Sequence, residues 1–188
     1  MRIVTFLKIY KNNKLILQQL SKCILSNFRV IMFDWLATFR DYNGYGYSWI
    51  HYYVVNSLNA PDNDDSYGIV VGSGAMPVTP DDTSLTEKIT HGTSTGQLDY
   101  DESEVNYEID YANKRGYIYV KRSFKNLSDS DVTVRECGIV LWRKYRIQAS
   151  VIAPGIDEKK LIVRDVLTQS ITLHPYEQLM IQYTFQIG

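Results

Sequence analysis

Hydrophobic residues between positions 17 and 39 recur at spacings of three and four, which is the period of a helix with one apolar face. They are Leu17, Leu20, Ile24, Phe28, Ile31, Trp35 and Phe39. Residues 41–44, with the sequence DYNG, follow this stripe and are typical of the end of a helix. The pattern therefore predicts an amphipathic helix of about six turns in the N-terminal part of the chain.

From residue 44 onward the pattern changes to that of strands. Val105, Tyr107 and Ile109 alternate with polar residues, which is the period of a half-buried strand. Other apolar segments between polar turns predict strands at residues 47–58, 67–72, 117–124, 132–142, 147–152, 161–167 and 179–187. Residues 73–96 are rich in Gly, Pro, Thr and Ser and predict a long ordered loop. We therefore expect a mainly β protein, with a helical segment at residues 1–43 and an antiparallel β-sandwich or jelly roll at residues 44–188.

The composition fits one domain with a substantial core. The chain has 188 residues, 45% of them apolar, and it contains 15 Tyr against 6 Phe and 3 Trp. Tyrosine favours strands and half-buried surfaces, because its ring packs while its hydroxyl reaches water or a partner. Cys23 and Cys137 have no CxxC partner and are interpreted as buried thiols. Charged residues divide the apolar stretch 15–39, so no membrane span is predicted and no membrane partner is expected.

Charge is segregated along the chain. Residues 1–40 contain seven Lys or Arg and one Asp, residues 41–110 contain thirteen Asp or Glu and one Lys, and residues 111–188 contain twelve Lys or Arg and seven Asp or Glu. One interpretation is that the loops of an ordinary domain happen to cluster acids. The other is that an acidic face meets the basic face of an identical neighbour, which would produce rings or tubes. The candidates are acidic Asp99, Asp101, Glu102 and Glu104 and basic Arg115, Lys121, Arg122 and Lys125.

The sequence carries no recognisable catalytic or metal-binding motif. His51, His91 and His174 lie in different predicted elements, without the spacing of a zinc site. The chain has no GxSxG nucleophile elbow and no GxxxxGK[ST] phosphate loop. We therefore expect a protein that is not an enzyme, with no catalytic, cofactor-binding or metal-binding residues. Nucleic acid is an unlikely partner, because the acidic middle of the chain would repel phosphates.

Five segments, read in order, resemble a pattern found in virion structural proteins of bacteriophages and archaeal viruses. The segments are GIVVGSG at residues 68–74 followed by PVTPDD at 77–82, then RECGI at 135–139, LIVRDV at 161–166 and ITLHPYEQL at 171–179. The resemblance covers residues 67–187. It departs from the pattern at Ser73, where threonine is usual, and at Tyr176, where glycine is usual.

The resemblance implies a viral structural protein of the tail, neck or portal-adjacent assembly, made in the host cytoplasm and located in the virion. Its partners would be identical copies in a ring and other virion proteins. In such an assembly the predicted helix would supply the main apolar contact, through Phe28, Ile31 and Trp35. The alternative is a capsid decoration or spike protein, in which the aromatic segment at residues 42–53 binds a host receptor or glycan. The other interpretation of this segment is an aromatic strand in the core.

Overall fold

The computed structural model of the protein describes residues 3–21, 24–28, 51–148 and 157–188, and these residues contain nine strands in two antiparallel sheets. The prediction of a mainly β, antiparallel sandwich is confirmed. The strands are β1 (Ile3–Lys11), β2 (Lys14–Leu20), β3 (His51–Ser57), β4 (Gly68–Gly72), β5 (Asp99–Asp110), β6 (Arg115–Lys125), β7 (Val132–Gln148), β8 (Asp157–Leu173) and β9 (Gln178–Ile187).

The larger sheet has five strands in the order β2-β1-β9-β6-β5. β9 lies at its centre and pairs with β1 from Ile3↔Ile187 to Lys11↔Leu179. On its other side β9 pairs with β6 over ten residues of each strand. β2 and β5 are therefore the two outer strands of this sheet.

The smaller sheet is organised around β7. β8 pairs with one side of β7, while β4 and β3 follow one another along the other side. Residues 147 and 148 belong to this same strand, so the prediction of a separate strand at 147–152 is wrong for these two residues. Residues 149–152 lie outside the described part of the chain.

One apolar core fills the space between the sheets. The alternation of β-strand side chains places every second residue of β1 and β9 inward, including Leu7, Ile9, Ile181 and Tyr183, all fully buried. The smaller sheet contributes its own buried side chains, among them Ile69, Val71, Ile139, Leu161 and Val163. Burial of one such aliphatic side chain contributes about 1.5–3 kcal/mol to stability.

The predicted N-terminal helix is not what the chain forms where the structure describes it. Lys14–Leu20, which includes Leu17 and Leu20 of the apolar stripe, is strand β2. It forms a hairpin with β1 through Asn12 and Asn13, which have φ values of 46° and 64°. Two consecutive positive φ values are those of a type I′ turn, which matches the twist of a two-residue hairpin. The hairpin thus belongs to the sandwich, and not to a separate helical segment.

The rest of the apolar stripe is described only in part. Ile24 forms an isolated bridge with Val163 of β8, and residues 26–28 form a single helical turn. The amide of Leu25 donates a 3.0 Å hydrogen bond to the carbonyl of Ile162, so this segment runs along β8. Residues 29–50, which include Ile31, Trp35 and Phe39, lie outside the described part of the chain.

Candidate functional site

The long loop between β4 and β5 is attached to the smaller sheet by the side chain of Arg164. This arginine lies on β8 and is buried. Its Nε donates to Glu136 Oε2 at 2.8 Å, and its Nη1 donates to Asp82 Oδ2 at 2.7 Å. Its Nη2 donates to the carbonyl of Met76 at 3.1 Å and to the hydroxyl of Thr86. A single guanidinium therefore connects β7 and β8 with three points of the loop.

Glu136 is the fully buried carboxylate at the centre of this cluster. Its Oε1 accepts a 3.0 Å hydrogen bond from the amide of Glu87 in the loop. A Cβ added at Gly72 would lie 2.7 Å from this oxygen, and one added at Gly74 would lie 2.6 Å from it. These glycines are therefore required for the close approach of β4 to the carboxylate.

Hydrogen bonds of the cluster shift the pKa values of Asp82 and Arg164 in the direction of their charged forms. Burial raises the pKa of the Asp82 carboxyl, but hydrogen bonds from Thr79 and Arg164 outweigh burial and hold that pKa below its usual value of 3.8. Burial lowers the pKa of Arg164, but its hydrogen bonds to Asp82 and Glu136 outweigh burial and raise that pKa above the ordinary value. We call Arg164, Glu136, Asp82 and Thr86 the loop-anchoring cluster.

A second polar chain lies inside the sandwich beside this cluster. Asp165 Oδ2 accepts a 2.7 Å hydrogen bond from the Ser21 hydroxyl and a 3.2 Å hydrogen bond from the Tyr183 hydroxyl. The Tyr183 hydroxyl also lies 3.2 Å from Cys137 Sγ. Burial raises the pKa of both the Cys137 thiol and the Tyr183 phenol. Cys137 is therefore a buried, protonated thiol, and the chain of contacts connects β7, β8 and β9 with the end of β2.

Arg122, predicted as an interface residue, is buried, with only 1% of its surface exposed. Its guanidinium carbon lies 4.8 Å from the centre of the Tyr100 ring. Burial lowers the pKa of Arg122, and attraction by Asp64 is among the effects that oppose it. Contrary to the prediction, this side chain is unavailable to a neighbouring copy. It donates instead to main-chain carbonyls of its own chain, at Pro61, Asp64, Tyr67, Ile69 and Asp101.

The remaining predicted charged residues lie on the neighbouring strands β5 and β6. Asp99 is opposite Lys125 in the register, and Glu104 is opposite Lys121. Lys125 Nζ forms a 2.7 Å ion pair with Asp101, so part of the acidic and basic charge is paired within one chain. Glu102, Glu104 and Arg115 are exposed. Their role in contacts between copies remains a prediction.

Of the predicted apolar contact residues, only Phe28 lies in the described part of the chain. It is half-buried and packs against the core of its own chain. Ile31 and Trp35 lie outside the described residues, as do residues 42–50 of the aromatic segment.

Within residues 3–21, 24–28, 51–148 and 157–188, no group of three or more His, Cys, Asp or Glu side chains could hold a metal ion. In the same residues no helix has the length and apolar character needed to cross a membrane. No family model, curated protein or solved structure matches the chain.

Proposed function

We propose that this chain is a viral structural protein of the tail, neck or portal-adjacent assembly and acts by forming a homo-oligomeric ring. The observation that carries the proposal is the composition of the loop-anchoring cluster. Asp82, Glu136 and Arg164 each come from a different segment of the virion-type sequence pattern, and they meet at 2.7 to 2.8 Å. This convergence supports the proposal, because side-chain contacts of Arg164 join three separate parts of that pattern in the folded chain.

The physical character of the cluster also favours a structural role. It attaches the loop at Met76, Asp82, Thr86 and Glu87 to the centre of the smaller sheet. A polar network built on the buried pair of Arg164 and Glu136 fixes one arrangement of loop and sheet. Rigid faces are what a component of a large assembly requires for contacts that repeat from copy to copy.

Two measurements test the proposal. We expect the mass of the purified protein in solution to correspond to a closed oligomer. We also expect the protein to be detected by mass spectrometry in purified particles of the virus that encodes it. A protein that stays monomeric at all concentrations and is missing from the particles would contradict the proposal.

A second candidate, a decoration or spike protein that binds a glycan, is favoured by the aromatic residues of the β5–β6 hairpin. Tyr107 is 80% exposed and Tyr111 is 83% exposed, and aromatic faces are suited to sugar rings. In this case the variant Tyr107→Ala/Tyr111→Ala should lose glycan-array binding. Tyr176→Ala, an exposed tyrosine in the turn between β8 and β9, is the control. Equal binding of all three proteins would reject this candidate.

A further inference from the structure

The two outer strands of the larger sheet have main-chain groups without partners among the described residues. In β5 the amide of Ser103 donates to the carbonyl of Ala60 at 2.8 Å, and the carbonyl of Tyr100 accepts from Asn63 at 2.9 Å. Beyond this point, no strand of the described chain pairs with the outer side of residues 104–110. The same is true of the outer side of β2. Unpaired strand edges are templates for pairing with another chain.

The features by which a monomeric protein protects its edge strands are only partly present at the two edges. Residues 104–110 and β2 contain no proline, and the irregularity in β5 lies earlier, between Tyr100 and Ser103. β2 has one irregularity, at Ile16, which has no residue of β1 opposite it. Both edges expose apolar side chains: Tyr107 is 80% and Ile109 is 52% exposed on β5, and Leu15 is 45% and Leu20 is 57% exposed on β2. Pairing with another strand would cover this surface.

The charges of the two edges disfavour pairing of β5 with a second β5 and permit its pairing with β2. Residues 104–110 carry Glu104, Glu108 and Asp110 and no basic residue, whereas β2 carries Lys14 and no acidic residue. Like charges directly opposite one another destabilise a pair of strands, so two β5 edges would repel each other. The acidic edge is therefore better matched to β2 than to a second copy of itself.

We propose that copies of this chain join head to tail, with β2 of one copy pairing with residues 104–110 of the next and extending the five-stranded sheet. The inference rests on the proposed homo-oligomeric function and names the surface that would carry it. The two edges match in length, at seven residues each, and lie at opposite sides of one sheet. Each copy would therefore bind one neighbour through β2 and a second neighbour through β5. A contact of this heterologous kind closes into a ring or continues as a filament.

The test uses two variants that each block one edge. Leu15→Glu/Leu20→Glu places acids on β2, where they would face the acidic edge of the neighbour. Tyr107→Lys/Ile109→Lys places lysines on β5, where they would face Lys14. All four side chains are well exposed, so both variants should keep the cooperative thermal unfolding of the unmodified protein. Met76→Lys, on an exposed loop residue away from both edges, is the matched control.

Masses in solution, measured by light scattering after size exclusion, give the result. We expect the unmodified protein and the Met76→Lys control to be oligomeric and each edge variant alone to be monomeric. An equal mixture of the two edge variants should form a dimer of twice the chain mass, because one intact edge of each kind remains.

Three other outcomes would overturn parts of the argument and can be told apart. An unmodified protein that is monomeric overturns the proposed ring function itself. An oligomer that neither edge variant disrupts leaves that function standing and overturns the edge pairing. A β5-blocked variant that dimerises by itself overturns the head-to-tail arrangement in favour of a two-fold contact between β2 strands.

Discussion

Tyr176 occupies a backbone conformation that side chains disfavour. It lies in the turn between β8 and β9 with a φ of 66°. The left-handed turn is therefore formed by a residue with a large side chain. A side chain in this region costs about 1–2 kcal/mol. The Tyr176 ring is 76% exposed and offsets little of that cost by burial.

The substitution Tyr176→Gly should stabilise the protein. Relief of the left-handed conformation outweighs the extra chain entropy of glycine, which is about 0.5–1 kcal/mol, so we expect a gain of about 0.5–1 kcal/mol. Urea unfolding measures the change. Asn13→Gly is the control, since Asn13 has a similar φ of 64° but asparagine tolerates it, and its gain should be smaller. A loss of stability in Tyr176→Gly would contradict this account.

Glu136, unlike Tyr176, stabilises the fold in its native position, because it pairs with the buried Arg164. The substitution Glu136→Gln removes the buried partner of Arg164 and should lower the free energy of unfolding by about 3–5 kcal/mol. Asp101→Asn removes the partner of Lys125 at a more exposed site and should cost less than about 1 kcal/mol. Chemical denaturation of both variants provides the comparison. Similar losses in the two would mean that burial of the Glu136–Arg164 pair has no special importance.

At the scale of elements, alternation of apolar and polar residues was a sound guide and helical spacing was not. The alternation of Val105, Tyr107 and Ile109 predicted β5, and the structure extends that strand to Asp99–Asp110. The prediction that this strand is half-buried is wrong for Tyr107 and Ile109, which are exposed. In β2, Leu17 and Leu20 are three residues apart and therefore point to opposite faces of the sheet, so their spacing did not mark one apolar face. The sign of a hairpin in this region was the pair Asn12 and Asn13. Consecutive asparagines accept the positive φ values of a tight two-residue turn.

The N-terminal hairpin should be indispensable to the sandwich. Leu7 of β1 is fully buried in the common core, so Leu7→Ala should lower the free energy of unfolding by about 2–5 kcal/mol. Leu15→Ala on β2, where the side chain is 45% exposed, should change it by less than about 0.5 kcal/mol. Thermal and urea unfolding report both effects. If the hairpin were a detachable appendage, Leu7→Ala would leave the main unfolding transition unchanged.

At the scale of the whole molecule, the polar sites could not be predicted, because they form through contacts between residues that are far apart in the sequence. Arg122 was grouped with surface charges, yet it shares its strand face with the buried Val120 and Phe124. That alternation was the available sign that its side chain points inward. Glu136, Asp82 and Arg164 were recognised only as parts of a pattern, because their meeting depends on long-range pairing of β7 with β8 and on the path of a loop.

The free energy of unfolding should depend on pH, because the carboxylates of Asp65 and Asp82 hold residues of the loops in place. Burial raises the pKa of Asp65, but hydrogen bonds from Lys88 and from the amide of His91 outweigh it, and the pKa falls below 3.8, as does that of Asp82. A carboxyl whose pKa is lower in the folded state stabilises the fold above its unfolded pKa. That contribution is lost as the pH falls through the folded value.

We therefore expect the free energy of unfolding to fall as the pH is lowered from the usual carboxyl value of 3.8. Urea unfolding at a series of pH values measures the decline. The variant Asp82→Asn should be less stable at neutral pH and should show a shallower decline, because one of the groups that take up protons is gone. A variant with a decline as steep as that of the unmodified protein would show that Asp82 does not contribute.

The central position of β9 also has a consequence for the order of events during synthesis. β1 and β6 have no direct pairing with each other and are joined only through β9, which the ribosome makes after all the other strands described here. Until then the first hairpin has only its own two strands, and an isolated hairpin is at best marginally stable in water. The larger sheet, with the two outer edges proposed to join copies, is therefore complete only after residues 178–187 have emerged. Emergence of β9 thus sets the earliest time at which a newly made copy is ready to be joined to its neighbours.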